Sequence, residues 1–151
     1  MGPALQHNIG AFLKAICGAV ARLVAAGTGD DTEVVSAGID TKGYESVKIV
    51  LAAAVDSQTA DKVLNNKYVK VQFCDTVGGS YDTPVTLVAG STTVVSGTGA
   101  QVGQQTYDLN LAGYKQFMQI VFKPDSTASG TDTAQIAAIA VLGGAAVLPA
   151  A

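Results

Sequence analysis

The chain has 151 residues, a formal net charge of −3 and a charged fraction of only 14%. A chain of this length forms one domain and buries roughly 70% of the surface that its unfolded form exposes. The acidic balance argues against a groove of clustered Lys and Arg, so no nucleic-acid partner is expected. Abundant Gly, Ala, Val, Thr and Ser favour short strands joined by turns over a helical bundle.

An apolar arm is predicted at the N-terminus, over residues 1–19. Its side chains Phe12, Leu13 and Ile16 have helical spacing, so a short amphipathic helix and an ordered extended arm are both open. A strand is predicted directly after the arm, from Val20 to Ala26, because this stretch is apolar and ends at a Gly-rich turn.

The apolar run that follows Lys14 superficially resembles a secretory signal peptide, in which a charged residue precedes an apolar core. Arg22 lies inside the supposed core and Gly18 weakens it, so an ordinary structural arm is the better interpretation. Because Lys14 and Arg22 interrupt the longest apolar region, no transmembrane helix and no membrane partner are predicted.

The middle of the chain predicts several short strands, because apolar and polar residues alternate with the period of two that a half-buried strand has. These strands are predicted at Glu33 to Ser36, Ser46 to Ala53, Tyr68 to Cys74, Thr83 to Val88 and Thr92 to Val95. Between them, a helical turn is predicted within the polar stretch Asp56 to Asn66. A Gly- and Gln-rich loop is predicted from Ser96 to Gln105.

Three further strands are predicted in the C-terminal third, at Thr106 to Leu111, Phe117 to Lys123 and Ala134 to Leu142. The last is apolar on both faces, which suits a buried position, and its flanking Gly and Thr favour a strand over a helix. The tail Gly143 to Ala151 is apolar but too rich in glycine for a normal strand. We expect it to lie on its own domain or on a neighbour.

These elements predict an all-β protein with a single antiparallel, jelly-roll-like β-sandwich and extended N- and C-terminal arms. The predicted division is an arm at residues 1–19, the sandwich at residues 20–142 and a tail at residues 143–151.

Residues able to carry chemistry are scarce. A Ser or Cys nucleophile needs an imidazole beside it, and the single histidine, His7, lies in the predicted terminal arm. Cys17 and Cys74 lack the spacing of a zinc site, and two buried free thiols are a better interpretation than one disulfide. No enzymatic activity, metal site or cofactor is therefore predicted.

Two weaker motifs have ordinary structural interpretations. Gly97 to Gly103 resembles a phosphate-binding loop, but it has no Lys and no following helical pattern, so an inter-strand loop is favoured. Acidic residues near turns could bind calcium but lack the EF-hand pattern, and Asp in turns usually forms Asx-turns. These acids are Asp30, Asp31, Glu33, Asp125 and Asp132.

Three stretches resemble a group of small β-sandwich virion proteins of tailed bacteriophages, and together they outline most of the chain. The first is Gly43-Tyr44-Glu45-Ser46-Val47, which is similar to the start of a strand in that group. The second runs from Tyr114 to Val121, and the third is the Ala- and Val-rich strand Ala134 to Gly143.

The resemblance implies a capsid decoration, or cement, protein that binds the outer surface of an assembled shell and stabilises it through many weak contacts. It implies the major capsid protein as partner, a homo-oligomer, a location on the virion capsid surface, and the host cytoplasm during assembly. Apolar arms that flank a polar-faced domain suit such contacts. The candidate capsid or intersubunit contacts are Phe12, Leu13, Ile16, Leu23, Val147 and Leu148.

The alternative hypotheses are a receptor- or glycan-binding module of a head or tail fibre, or a head-tail connector component. A glycan platform needs exposed aromatic side chains, and the chain has five tyrosines but no Trp. Tyrosines packed at the edges of the sandwich, with the hydroxyl in water, are the simpler interpretation.

Overall fold

The computed structural model of the chain describes residues 13–24, 31–128 and 132–144, and for residues 21–24 and 58–60 it describes the backbone alone. Within these residues all regular secondary structure is strand. The strands are β1 (Lys14–Val24), β2 (Val34–Val35), β3 (Ile39–Asp40), β4 (Ser46–Cys74), β5 (Val85–Asn110), β6 (Phe117–Ser126) and β7 (Thr133–Gly143).

A long antiparallel hairpin of β4 and β5 organises the fold. On one side β4 pairs with β5, from Ser46 opposite Asn110 to Val71 opposite Val85. On its other side β4 pairs with two strands in turn, its first half with β7 and its second half with β6. β1 extends the sheet beyond β7, and the short strands β2 and β3 pair with β6.

The hairpin is bent in the middle, which folds the sheet into two layers. The register of β4 shifts between Ser57 and Lys62, and the facing part of β5 contains Gly97 and Gly99 with φ angles of 145° and 75°. Such φ values suit glycine, which has no Cβ to clash. We call the part with β1, β7, the start of β4 and the end of β5 the first layer, and the part with β2, β3 and β6 the second layer.

The two layers meet at both edges of the folded sheet. At one edge the backbone N–H of Ala37 donates a hydrogen bond to the carbonyl oxygen of Gly18, at 3.2 Å. At the other edge the two halves of β5 face each other, and the Gln105 Nε2 atom donates to the Thr93 carbonyl oxygen at 2.9 Å. The antiparallel sheet is therefore nearly closed on itself.

The core fills the space between the layers, because alternate residues of each strand point inward. The first layer contributes the inward-facing residues of β4 and β7, and the second layer those of the end of β4 and of β6. The largest fully buried side chains are Phe122, Ile39, Ile49, Leu51, Leu64, Met118, Ile120, Ile136, Leu142, Val47 and Val55. Burial of each such side chain contributes about 1.5–3 kcal/mol.

The all-β antiparallel sandwich is confirmed, and so are the strands at Ser46 to Ala53, Phe117 to Lys123 and Ala134 to Leu142. The predicted helical turn in Asp56 to Asn66 and the predicted loop at Ser96 to Gln105 are both wrong, because these stretches belong to β4 and β5. Their polar and Gly-rich composition reflects the bend, where the register of the ladder shifts between Ser57 and Lys62.

For the N-terminal stretch the described residues show the extended one of the two alternatives, and the expectation that both cysteines are buried is corrected. The described part of the stretch at residues 11–17 is extended, since β1 begins at Lys14 and pairs with β7. Cys17 and Cys74 are free, as predicted, but only Cys74 is buried; Cys17 is exposed because it lies on the outer side of β1. The division into arm, sandwich and tail stays a prediction, and its first boundary falls within β1.

Candidate interaction surface

The outer side of the first layer is mostly apolar. Residues that pair across neighbouring strands point to the same side of the sheet, so the register identifies which side chains share this surface. We call it the apolar face, and its apolar members are Ala15, Cys17 and Val20 of β1, Ala137, Ile139 and Val141 of β7, Val50, Ala52 and Ala54 of β4, and Val102 of β5.

The centre of the apolar face is a shallow groove of about 510 Å³. Its floor carries the small side chains of Ala52, Ala54 and Ala137, while Val20 and Val102 stand at its two sides. These two valines are 64% and 84% exposed. Contiguous exposed apolar surface on a soluble domain usually marks a contact with another molecule.

Polar groups border the groove. The Lys48 Nζ atom lies 2.7 Å from the Asp108 Oδ1 atom, at the end of the face near the start of β4. Both side chains are well exposed, so this ion pair adds little to stability. Gln104 and Gln135 line the groove beside the alanines. An apolar centre with a polar rim is the usual anatomy of a protein–protein interface.

The outer side of the second layer has a different character. We call it the polar face, and its polar members are Tyr68, Lys70 and Gln72 of β4 together with Gln119 and Lys123 of β6. The same register adds two valines, Val35 of β2, which is 45% exposed, and Val121 of β6, which is buried. The Gln72 Nε2 atom donates to the Gln119 Oε1 atom at 2.9 Å, and the Lys70 Nζ atom lies 4.2 Å from the centre of the Tyr68 ring. Polar and charged side chains thus make up much of this surface.

A cluster of ion pairs stands at the end of the polar face. The Asp31 carboxylate lies 2.7 Å from the Lys67 Nζ atom and 3.0 Å from the Lys123 Nζ atom. Hydrogen bonds from these two lysines lower the pKa of Asp31, and the hydrogen bond to Asp31 raises the pKa of Lys67. Asp125 adds a second acidic partner, 3.4 Å from Lys67. Asp132 lies 3.4 Å from the Lys62 Nζ atom, so three of the acids weighed as calcium ligands are paired with lysines.

Tyr68 gives a pH prediction for the polar face. Its hydroxyl donates to the Glu33 Oε2 atom at 2.5 Å, and this hydrogen bond, followed by burial, raises the pKa of Tyr68 to about 12. Because the folded state favours the protonated hydroxyl, the stabilisation is complete below pH 10 and is lost as the pH rises to 12 and beyond. In a titration of tyrosinate absorbance, Tyr68→Phe should remove a late step, while an unchanged profile would contradict the assignment.

The predicted contact residues lie in different places. Leu13 is 42% exposed and lines a second groove, of about 930 Å³, at the end of the first layer near Lys48 and Asp108. Ile16 is half-buried and packs against the core. The backbone of Leu23 pairs with Ala134. Phe12, Val147 and Leu148 lie outside the described residues, so the whole set stays a prediction.

The sequence interpretation missed the apolar face. One signal was present, since the strand Ala134 to Leu142 is apolar on both sides. That pattern predicts a strand buried on both sides, whereas Ala137, Ile139 and Val141 form part of an outer surface. Val102 lies in the stretch for which the sequence predicts a loop, and the structure places it in β5.

Three further observations concern a metal site, a membrane span and the Gly-rich stretch. Among the described residues, no three His, Cys, Asp or Glu side chains are grouped so that they could hold a metal ion. In the same part of the chain, no helix is long and apolar enough to cross a membrane. The stretch Gly97 to Gly103 lies in the ladder between β4 and β5.

Comparisons with known proteins give a similarity of fold. No protein-family model and no curated protein matches the chain. A chain in the crystal structure of the T13 infectious bursal disease virus particle is similar to it, with a TM-score of 0.52 and 12% sequence identity over 91% of this chain and 32% of that chain. Structures of the Gx and Gt strains of the same virus give TM-scores of 0.47 and 0.45 at 10% and 12% identity.

The Gx and Gt matches cover 90% and 91% of this chain and 34% and 35% of theirs. The chain thus spans about a third of the length of the structures it matches. At these identities the similarity concerns the fold alone, an antiparallel β-sandwich of a type that occurs in a virus particle.

Proposed function

We propose that the chain is a structural protein of a virion, and specifically a decoration (cement) protein that binds the outer surface of an assembled bacteriophage capsid. The observation that carries the proposal is the contrast between the two outer faces. A decoration protein needs one surface that docks on the shell and another that faces water. The apolar face suits the first role and the polar face suits the second.

The similarity to a chain of a virus particle supports a virion role, and the three stretches that resemble phage virion proteins support the finer assignment. The described residues also give little support to a glycan platform. Tyr114, which is 39% exposed, stacks on Phe73 with ring centres 4.3 Å apart. Tyr44 and Tyr107 pack against the core.

The number of copies per particle tests the decoration role most economically. A protein that covers the shell through many weak contacts is expected in roughly hundreds of copies per particle. These copies should dissociate from the outside while the shell stays intact. About a dozen copies or fewer would contradict decoration and favour a connector or fibre component. Quantitative mass spectrometry of purified particles measures the number, and accessibility to an antibody on intact particles checks the location.

The two arms are proposed as additional contacts with the shell or with neighbouring subunits. The N-terminal deletion has to end at residue 12 and the C-terminal deletion has to begin at residue 145, because β1 and β7 pair with each other in the sheet. We expect each truncated chain to keep its fold and to co-sediment less with purified capsids. Unchanged binding would rule out contacts through residues 1–12 or through residues 145–151, respectively.

A further inference from the structure

The second groove, which Leu13 borders, lies on the outer side of the first layer at the end where β4 begins and β7 ends. We call it the end groove. Ser46 and Gly143 pair with each other there, and the Leu13 Cδ2 atom would stand 3.3 Å from a Cβ atom added to Gly143. Its apolar lining also includes Leu109 and Val141. At about 930 Å³ the end groove is large enough for several apolar side chains.

The described chain leaves the sheet at the rim of the end groove. β7 ends at Gly143, whose carbonyl oxygen accepts a hydrogen bond from the Glu45 backbone N–H at 3.1 Å. Gly144 follows with a φ angle of 69°, a left-handed conformation that turns the backbone out of the extended strand. A Cβ atom at Gly144 would lie 3.2 Å from the Glu45 Cβ atom, and Glu45 lines the end groove. The chain therefore stands beside the groove at the point where residue 145 follows.

The sequence that follows Gly144 matches the end groove in chemistry and in reach. Residues 145–148 are Ala, Ala, Val and Leu, so this segment is apolar and uncharged. β4 lies between β7 and β5, so the far wall of the groove at Asn110 is two strand spacings from Gly143, roughly 10 Å. An extended chain spans about 3.3 Å per residue, so Val147, the third residue after Gly144, reaches that distance.

We propose that residues 145–148 dock in the end groove of their own subunit, with the side chains of Val147 and Leu148 against Leu13 and Val141. Docking removes the apolar surface of the segment and of the groove from water, which stabilises the arrangement. The tether favours the segment of the same chain over that of another copy. A segment that starts at the rim has an effective concentration on the order of millimolar for its own groove, whereas another copy offers only its concentration in solution.

The docked segment also enlarges the apolar face. The end groove and the apolar face lie on the same outer side of the first layer, and Val141 belongs to both. Residues 145–148 therefore stay on their own subunit and still contact whatever docks on this side. This consequence rests on the proposed function, whereas the docking of the segment is a property of the free chain and goes beyond that function.

Thiol labelling of the free chain tests the proposal without any capsid. With Cys17→Ser to remove the exposed thiol, Ser46→Cys places a thiol in the end groove at an exposed position. A polar maleimide should react with it at least about tenfold more slowly in the full chain than in a chain that lacks residues 145–151, since a covered thiol is shielded from the reagent. Gln104→Cys is the matched control. Gln104 pairs with Ala52, roughly 20 Å along β4 from Ser46, so its labelling rate should be the same in both chains.

Two substitutions in the segment itself complete the test. Leu148→Asp should restore fast labelling of the cysteine in place of Ser46, because a carboxylate without a partner resists burial. Ala150→Asp adds the same charge beyond residues 145–148 and should leave the labelling slow. Far-UV circular dichroism checks that every variant folds. Equal labelling with and without residues 145–151 would overturn the proposal. Protection that appears only as the chain concentration rises would also overturn it, because the segment of a second copy would then occupy the groove.

Discussion

Gly103→Ala is expected to lower the free energy of unfolding by about 2–3 kcal/mol. A Cβ atom at this position would overlap the carbonyl oxygen of Val94 and would stand 2.8 Å from the Cβ atom of Val95. Both neighbours belong to the other half of β5, where the folded sheet brings the two layers together. Because the first obstacle is a backbone atom, the strain is relieved only if one half of β5 moves.

Gly143→Ala is the matched control for this substitution. A Cβ atom there would lie 3.3 Å from the Leu13 Cδ2 atom and 3.4 Å from the Ser46 Oγ atom, which belong to side chains able to move. We expect a change within about 0.5 kcal/mol. Urea unfolding followed by circular dichroism measures both variants. If the two glycines tolerate alanine equally well, the close approach of the two halves of β5 is wrong.

Ala52→Lys is expected to weaken attachment to the shell by at least about 100-fold while leaving the fold intact. Ala52 lies on the floor of the groove in the apolar face, so a lysine there would extend into water in the free chain. On the shell the same ammonium group would be buried without a partner, which costs several kcal/mol of binding free energy. Each loss of about 1.4 kcal/mol lowers the affinity tenfold. Where several linked subunits bind the shell together, the loss of affinity per subunit multiplies.

Gln72→Lys is the control, because it introduces the same side chain into the same strand but on the polar face. It loses one hydrogen bond to Gln119 and should bind the shell as the unmodified chain does. Co-sedimentation with purified capsids compares the two variants, and their melting temperatures check the fold. Equal binding by both variants, or equal loss, would remove the apolar face from the proposed contact.

The all-β class and the strands with clear alternation could be predicted from the sequence. Val47, Ile49 and Leu51 alternate with Lys48, Val50 and Ala52, and burial of one side of the sheet enforces that pattern. The length of β4 and β5 could not be predicted. Glycine and polar residues around their bend have no strand preference of their own. Only the pairing on either side of the bend shows that the two strands continue through it.

The candidate surface was less predictable than the fold, for a physical reason. An apolar outward-facing residue such as Ile139 has the same sequence pattern whether another layer of its own chain or a different molecule covers it. Only the arrangement of strands shows that no described part of this chain covers the face. The six predicted contact residues came from apolar termini, whereas Ala52, Ala137 and Val102 emerge from the register of the sheet.

The most direct test uses the exposed thiol of Cys17, which lies on the apolar face, and the buried thiol of Cys74, which donates to the Thr76 carbonyl oxygen. On the free chain a polar maleimide should label Cys17 readily and Cys74 only after unfolding. On the particle, docking through the apolar face should slow the labelling of Cys17 at least about tenfold, since the interface excludes solvent.

The polar face supplies the comparison. Gln72→Cys, combined with Cys17→Ser, should react at the same rate on the particle as in solution. Docking through the apolar face would be contradicted if the Cys17 thiol reacted as fast on the particle as in the free chain and a cysteine in place of Gln72 were protected instead.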